Sequence, residues 1–334
     1  MPPTIKDVAQ YTGLSIATIS KYTNGGNVLA QNRALIEEAI QSLGYKANHA
    51  ARSLKTNKTR TIGILIPSLS SAFFSRIVAI IDKRLLKSGY NTVVCNYDNP
   101  TLEKAKLEFL VDANVDGIIM VAEGLMSSDF TKFSTINNHD IPLILVDRTI
   151  KDLHCDKVLV DNISASYTAV EYLIRRMHKH IGIITGPLDI SSAFERMLGY
   201  RRVHEDYSLP IDESLIKVGN YDLESGYRLF LEMVGSPNPP TAMYVSNYDM
   251  MLGAITAAHE RHISLPDQLD FIGHDNIELS RVISPSISIV VQPMDEIGET
   301  TADLMLQRLR GDYKSFPLVV RHKAQLFIPD QEIL

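Results

Sequence analysis

Ser15-Ile16-Ala17-Thr18-Ile19-Ser20-Lys21 sets the character of the first sixty residues. Ser15 is a strong helix N-cap, because its hydroxyl can take a backbone N–H that the first turn leaves unpaired. The spacing behind it predicts a short helix over about Ile16 to Tyr22. Ile19 falls on one face with Leu14, whereas Ile16, Ala17, Ser20 and Lys21 recur on the other. Further back, Thr4-Ile5-Lys6-Asp7-Val8-Ala9 reads as an earlier helix start, with Asp7 completing an acidic variant of the capping box. Gly13 supplies the left-handed residue that ends this helix. Two short helices joined by a tight glycine-containing turn match a helix-turn-helix. The exposed face of the second is small, polar and basic, as a helix lying in a DNA major groove requires.

An ordinary three-helix bundle with a polar face shares that pattern, so the distribution of charge matters. The 334 residues carry a net charge of -6, which argues weakly against nucleic acid. Residues 1–60, however, hold eight Lys or Arg and three Asp or Glu, a net of +5, and the remainder carries -11. A basic head that meets phosphates on an acidic body that does not is the natural reading.

A third amphipathic helix is expected over about Asn32 to Leu43, with Leu35, Ile36, Ala39, Ile40 and Leu43 as its buried stripe. Next comes Asn48-His49-Ala50-Ala51-Arg52-Ser53-Leu54-Lys55, in which Asn48 can cap one or two helical turns. Leu54 has no obvious core to join. It either contacts the main body or acts as a wedge that opens a base step from the minor groove. Thr56 to Arg60 form a polar, basic linker.

These segments resemble the head of the lactose/galactose repressor family, and the resemblance extends over essentially the whole chain. Two positions depart from the pattern: Ala47 stands where a proline is usual before the hinge asparagine, and Ala30 where a serine or threonine usually caps the third helix. The resemblance implies that Ile16, Ala17 and Lys21 read base edges, Lys21 donating to a guanine and the other two offering apolar contact. It implies that Ser15, Thr18, Ser20 and Asn24 mostly hold phosphates. Thr4 and Asn48 also count among the DNA-contacting residues, and Leu54 is the hinge wedge.

Beyond residue 60 short apolar runs alternate with helical patterns. Thr61 to Pro67, Thr92 to Cys95, Gly117 to Val121 and Leu143 to Asp147 have strand character. Helices are expected from about Phe74 to Lys87 and Leu102 to Ala113, with another before Leu143. The alternation restarts with helices near Ala165–Met177, Arg196–Tyr207, Leu223–Val234 and Met250–Arg261. Between and after them come strands at Ile181–Ile184, Ile216–Val218, Ala242–Val245 and Phe271–Gly273. The tail offers Ile287 to Val291, a helix from about Met294 to Arg310, and strands near Leu318 and Leu326. Such alternation indicates parallel sheets covered on both faces, and the two series indicate two similar lobes.

The fold class expected is an all-α helix-turn-helix head with a hinge helix, joined to an α/β body of two doubly wound parallel-sheet lobes, like a periplasmic binding protein. The expected divisions are 1–46 for the head, 47–60 for hinge and linker, and 61–334 for effector binding and dimerisation. Lobe 1 takes about 61–161 and 292–321, and lobe 2 about 162–291 and 322–334. By resemblance the chain crosses between lobes three times and leaves a cleft between them.

Ligands of open α/β sheets bind beyond the C-terminal strand ends. Ser68, Ser70, Ser71, Phe73 and Phe74 follow the first strand, and Asp147 and Arg148 end another. In the second series Ser191, Ser192, Glu195 and Arg196 follow Gly186-Pro187-Leu188. Tyr221 and Asp222, Ser246 to Asp249, and His274, Asp275 and Asn276 end later strands. Any one of these Asp or Ser residues can also be a plain helix cap. Arg196 is read as opening a helix, where a cation opposes the dipole and so points to a partner. Phe73, in a serine-rich loop, is read as cleft lining. Together they suit a polyhydroxylated ligand, whose hydroxyls donate and accept and whose apolar face packs on a ring. The resemblance makes Arg196 and Asp275 an effector clamp, Phe73 and Tyr221 ring-stacking residues, and Asp147 and Asn247 pocket lining. Phe74, Arg148, Ser192 and Asp249 complete the expected effector set, with Tyr248 competing with Asp249 to face the ligand. Gly219 to Tyr227 is close to the purine-responsive branch of the family, yet Ile190 stands where that branch carries a base-selecting arginine. A sugar or sugar acid is therefore the expected effector.

There is no G-x-S-x-G, H-E-x-x-H or Walker A sequence, so no enzyme chemistry is expected. His178-Lys179-His180 is read on a helix facing two ways, a poor metal pair. No metal and no cofactor are expected. Cys95 and Cys155 are read as two free thiols in a reducing cytosol. The N-terminus lacks a secretory h-region and no apolar run is long enough to span a membrane. The expected partners are double-stranded DNA with a pseudo-palindromic operator, a small-molecule effector and a second copy of the chain, with no membrane. The expected location is the cytoplasm, at the nucleoid. A corepressor-dependent regulator with a nucleobase or protein effector is the main alternative; a solute-binding protein and an α/β enzyme are remote ones.

Overall fold

The computed structural model describes residues 3–23, 26–45, 58–124, 133, 136, 140–275 and 286–329. The chain divides into two compact units, Met1–Thr59 and Arg60–Leu334. The expectations for Asn24, Ala47, Asn48, Leu54 and Asn276, and most of the helix expected before Leu143, fall outside the described residues.

The head holds α1 (Ile5–Thr12), α2 (Ile16–Thr23) and α3 (Ala30–Leu43). At the start of α1 the Thr4 N–H and hydroxyl both donate to the Asp7 carboxylate, at 2.6 and 2.8 Å. These bonds hold the Asp7 pKa below its usual value. Gly13, at φ 68°, ends the helix in the left-handed region that a side chain resists. Ser15 then caps α2 by accepting the Thr18 N–H at 3.2 Å. Val8, Ile19, Ile36 and Ala39 are fully buried and, with Tyr45, make the small core. Two expectations need correction. Ala30 is the first residue of α3, and the cap position belongs to Leu29, which provides no side-chain cap. Leu35 is 44% exposed, because the bundle is too small to cover the full apolar stripe.

The body begins with β1 (Thr61–Ile66), α4 (Ala72–Leu86), β2 (Asn91–Asn96), α5 (Pro100–Asp112), β3 (Gly117–Met120), β4 (Leu143–Val146) and β5 (Asp156–Val160). The second series is α6 (Asn162–Arg175), β6 (Ile181–Thr185), α7 (Ser191–Asp206), β7 (Ile216–Val218), α8 (Leu223–Val234), β8 (Ala242–Val245), α9 (Tyr248–Glu260), β9 (Asp270–His274) and β10 (Ser288–Val291). The tail adds α10 (Met294–Leu309), β11 (Val319–His322) and β12 (Gln325–Phe327).

The strands form two six-stranded sheets, ordered β11-β5-β4-β3-β1-β2 and β12-β10-β9-β8-β6-β7. The same order recurs in both lobes. The chain crosses near Asp161, Gln292 and Lys323, so each lobe receives its last edge strand from the tail. β11 pairs parallel with β5, whereas β12 runs antiparallel to β10 and departs from the all-parallel expectation. Strand alternation sends Ile62, Ile64 and Ile66 to one face of sheet 1 and Leu65 to the other, and both faces are covered by buried apolar clusters. Sheet 2 is buried on both faces in the same way.

A buried ion pair ties the returning helix α10 into lobe 1. Arg308 meets Asp156 through two bonds of 2.7 and 3.0 Å, with both side chains 1% exposed. The Leu318 N–H adds a third bond to Asp156 at 2.7 Å. Reading the sequence did not find β5, which opens with charged Asp156 and Lys157 rather than an apolar run. Three other expectations shift. Phe73 lies on the first turn of α4, not in a loop. Arg196 sits in the second turn of α7, since Ser191 opens that helix, so the dipole argument does not apply. His178 and His180 lie beyond the end of α6, where His178 contacts Thr241 and Asp270 and His180 contacts Asn238. Cys95 and Cys155 are buried free thiols, and burial raises the pKa of both.

Candidate functional site

In the head, burying Ile19 turns the other face of α2 outward. Ile16, Ala17 and Lys21 are exposed on it, and Ile16 keeps 45% of its surface open. Ser15 and Thr18 share a 2.9 Å hydroxyl contact beside them, with Ser20 partly covered and Thr4 exposed at the start of α1. Ala17, Thr18 and Lys21 also border a concave patch with Asn27, Leu29 and Asn32, which sequence reading did not single out.

In the body, the C-terminal ends of the strands of both lobes converge on a cleft of about 510 Å³. That volume suits a small ligand. All ten residues expected at the effector site line it: Phe73, Phe74, Asp147 and Arg148 from lobe 1, and Ser192, Arg196, Tyr221, Asn247, Asp249 and Asp275 from lobe 2. Tyr248 lines it too, as does Ile190, which presents an apolar side chain. Asp98, Glu123, Asn220 and Gln292 were missed, although each follows a strand end and the same rule could have found them.

Local backbone shape aims these groups. Asp98, Asp147, Tyr221 and Asp275 all adopt left-handed φ values, of 45°, 65°, 62° and 77°. Such a φ is uncommon outside glycine and unfavourable for a bulky tyrosine, so surrounding structure must enforce it. Gly186 allows the Tyr221 ring to lie against the chain, since a Cβ there would strike the ring. The helices α8 and α9 approach so closely at Gly226 and Gly253 that a Cβ on either would meet the other's backbone. Their N-termini, carrying Asp222 and Asn247 as caps, are thereby brought to one rim of the cleft.

Arg196 is buried, donates to Asn162 Oδ1 at 2.8 Å and donates again to the Ser246 carbonyl. Burial opposes its charge, but Tyr221, Tyr244, Asp275 and Asp147 outweigh that, and its pKa lies above the usual value. Asp275 accepts from Gln292, and burial lifts its carboxyl to about 6. Burial likewise raises Asp147. His274, buried beside Arg196, is held well below the usual imidazole range and so stays neutral. The Arg148 guanidinium lies over two rings, 5.6 Å from Phe74 of lobe 1 and 5.7 Å from Tyr221 of lobe 2. Four buried atoms in this cleft find no hydrogen-bond partner among the described residues: Asp147 Oδ1, Arg148 Nε, Tyr221 OH and Gln292 Oε1. Unsatisfied buried polar atoms are costly, and a ligand that pairs with them recovers that cost. Elsewhere the lobes are linked directly: the Thr149 N–H donates to Ser191 Oγ at 2.9 Å, and Arg321 pairs with Glu195 at 2.9 Å. No group of three or more metal-ligating side chains occurs among the described residues.

A helix-turn-helix unit followed in sequence by a two-lobed α/β body with a ligand-sized cleft defines a ligand-responsive transcription regulator. Residues 4–48 match the family described as bacterial regulatory proteins, lacI family. Residues 59–329 match the periplasmic binding proteins and sugar binding domain of the LacI family. The chain belongs to the LacI family, as a DNA-binding transcriptional repressor with a ligand-binding domain. The HTH-type transcriptional repressor PurR of Actinobacillus pleuropneumoniae serotype 3 is 32% identical over 330 residues, 97% of each chain. A crystal structure of the lac repressor dimer bound to operator and the anti-inducer ONPF superposes with a TM-score of 0.87 at 25% identity, covering 98% of each chain. A transcriptional regulator CelR–cellobiose complex shares the fold, with a TM-score of 0.73 at 23% identity over 98% of each chain.

Proposed function

We propose that this repressor acts as a homodimer on a pseudo-palindromic operator and is controlled by a sugar or sugar acid bound between the two lobes. The observation that carries the effector reading is the cleft itself, with its left-handed carboxylates, its buried Arg196 and its four unpaired polar atoms. Ile16, Ala17 and Lys21 read bases, while Thr4, Ser15, Thr18, Ser20 and Asn24 position the head on phosphates. Asn48 and Leu54 serve the hinge, with Leu54 as a minor-groove wedge. Two heads are needed because one makes few base contacts. Ligand contacts from both lobes change the lobe angle and, through it, the spacing of the two hinges. The work is done in the cytoplasm, at the nucleoid, and involves no catalysis. A nucleobase is the second reading, favoured by the PurR similarity and by the two rings that flank Arg148. Ile190 speaks against it, since it brings no polar group to a base edge.

A thermal-shift screen against sugars, sugar acids, sugar phosphates and nucleobases tests this directly. Ligand at about 100 times its dissociation constant adds about 2.7 kcal/mol to the state that binds it. One sugar class is expected to shift the melting point, and Arg196→Ala to abolish the shift. A shift from nucleobases alone would replace the sugar reading with the second one. Leu54→Ala is expected to weaken operator affinity while the ligand still shifts the melting point; unchanged operator affinity would refute the wedge.

A further inference from the structure

The described lining of the cleft holds six carboxylates, Asp98, Glu123, Asp147, Asp222, Asp249 and Asp275, against two guanidiniums, Arg148 and Arg196. Both cations have neighbours of their own, although Arg148 Nε makes no hydrogen bond among the described residues. Arg148 lies 3.6 Å from Asp147 and 3.9 Å from Glu123, and Arg196 donates to Asn162 and Ser246. Asp249, partly buried on the first turn of α9, forms no hydrogen bond or ion pair with any described residue. Burial and the like charge of Asp222 both push its carboxyl up. The close packing of α8 on α9 at Gly226 and Gly253 brings these two acids to one rim of the cavity. Each helix N-terminus adds only about half a positive charge, which two full carboxylate charges exceed.

Deeper in the cleft, Asp147 Oδ1 and Gln292 Oε1 belong to side chains more than nine-tenths buried, and neither receives a donor. Arg148 Nε is an unpaired donor and the Tyr221 hydroxyl can act either way, but with two open acceptors and six carboxylates against two guanidiniums the larger demand of the cavity is for hydrogen-bond donors and positive charge. A carboxylate or phosphate on the ligand would bring further acceptors to a cavity short of donors and would be repelled by Asp222 and Asp249. An ammonium offers three donors and no acceptor, and its bonds to carboxylates are about twice as strong as neutral ones. We infer that the effector is an amine-bearing polyol, an amino sugar in chemical class, with its ammonium against Asp222 and Asp249 and its hydroxyls donating to Asp147 and Gln292. This rests on the cleft being the effector site and narrows the effector away from sugar acids.

Isothermal titration calorimetry of the full chain against matched sets tests it. Each set comprises a neutral hexose, its hexosamine, its hexuronic acid and its hexose phosphate, in the gluco, galacto and manno series. In at least one series the hexosamine is expected to bind about tenfold or more tightly than its neutral parent. Asp249→Asn, and separately Asp222→Asn, should draw that ratio toward one. Tightest binding by an acid or phosphate, a neutral parent equal to its amine, or a ratio untouched by either variant overturns the inference. If such binding is still lost in Arg196→Ala, the effector cleft stands without it. Failure of every sugar to bind refutes the amino sugar and the sugar reading together.

Discussion

The head and the body carry function in opposite ways. In the head, most of the described residues proposed to touch DNA lie on or beside one face of α2, between Ser15 and Lys21, around a core of five buried side chains. In the body, the residues proposed to touch effector come from the ends of many strands, separated by up to about two hundred positions, and only the folded sheets bring them together. A local site can be read from periodicity, whereas a dispersed site is read one strand end at a time. The comparison also predicts where damage spreads: a change in the body acts through long-range bonds, and a change in the head acts through local ones.

The largest expected effect is on the body. Replacing Arg308 with methionine leaves the Asp156 carboxyl without its charge partner in a site that is 1% exposed. The expected loss is about 3–5 kcal/mol, read from the urea midpoint followed by circular dichroism. A loss below about 1 kcal/mol would mean that the pair does not anchor α10, and the long-range account of the body would weaken.

Acidity separates the two units next. Asp275 is raised by burial from 3.8 to about 6, and Arg196, Gln292, His274, Asp147 and Asp249 surround it. Because folding raises this pKa, its contribution to stability is full below about pH 3.8 and is lost as pH rises through about 6. Ligand hydroxyls that donate to the carboxylate need the ionised form. Effector affinity is therefore expected to rise between about pH 5 and pH 7 while this stability contribution falls. Asp275→Asn should flatten both differences. Equal pH dependence in the variant and the parent would remove Asp275 from the clamp.

The smallest effect belongs to the head. Ser15→Ala removes the side-chain cap of α2 and is expected to cost about 1 kcal/mol of head stability. The effector response of the melting point should not change. An altered response would show that the head feeds back on the cleft more strongly than its local wiring suggests.

What could be read in advance follows the same division. The bounds of α8 and β8 emerge from the sequence to the residue, since both are bracketed by turn-forming residues and have clear periodicity. Strand β5 does not, because Asp156 and Lys157 occupy its first positions and Asp156 finds its partner on α10, 152 residues later. For Arg196 the strand-end rule and the family resemblance point to the cleft, whereas the helix-dipole argument fails because Ser191 opens the helix. Its importance comes from burial among Asn162, Ser246, Asp147 and Asp275, which no helix-dipole argument contains. Gln292 is hidden for a similar reason: it is an ordinary amide after a strand until the crossing between lobes sets it beside Asp275. Leu35 shows the converse, an apolar residue in perfect register that a small bundle leaves uncovered.

The central claim is that a ligand in the body cleft sets the affinity of the head for DNA. The most direct measurement selects binding sites from random duplexes, then titrates the selected site with wild type and Arg196→Ala, with and without the stabilising sugar. The account predicts a two-fold symmetric site and a change in wild-type affinity of about 5–150-fold on adding ligand. It predicts no change in Arg196→Ala. An operator affinity indifferent to a ligand that demonstrably occupies the wild-type cleft would contradict it.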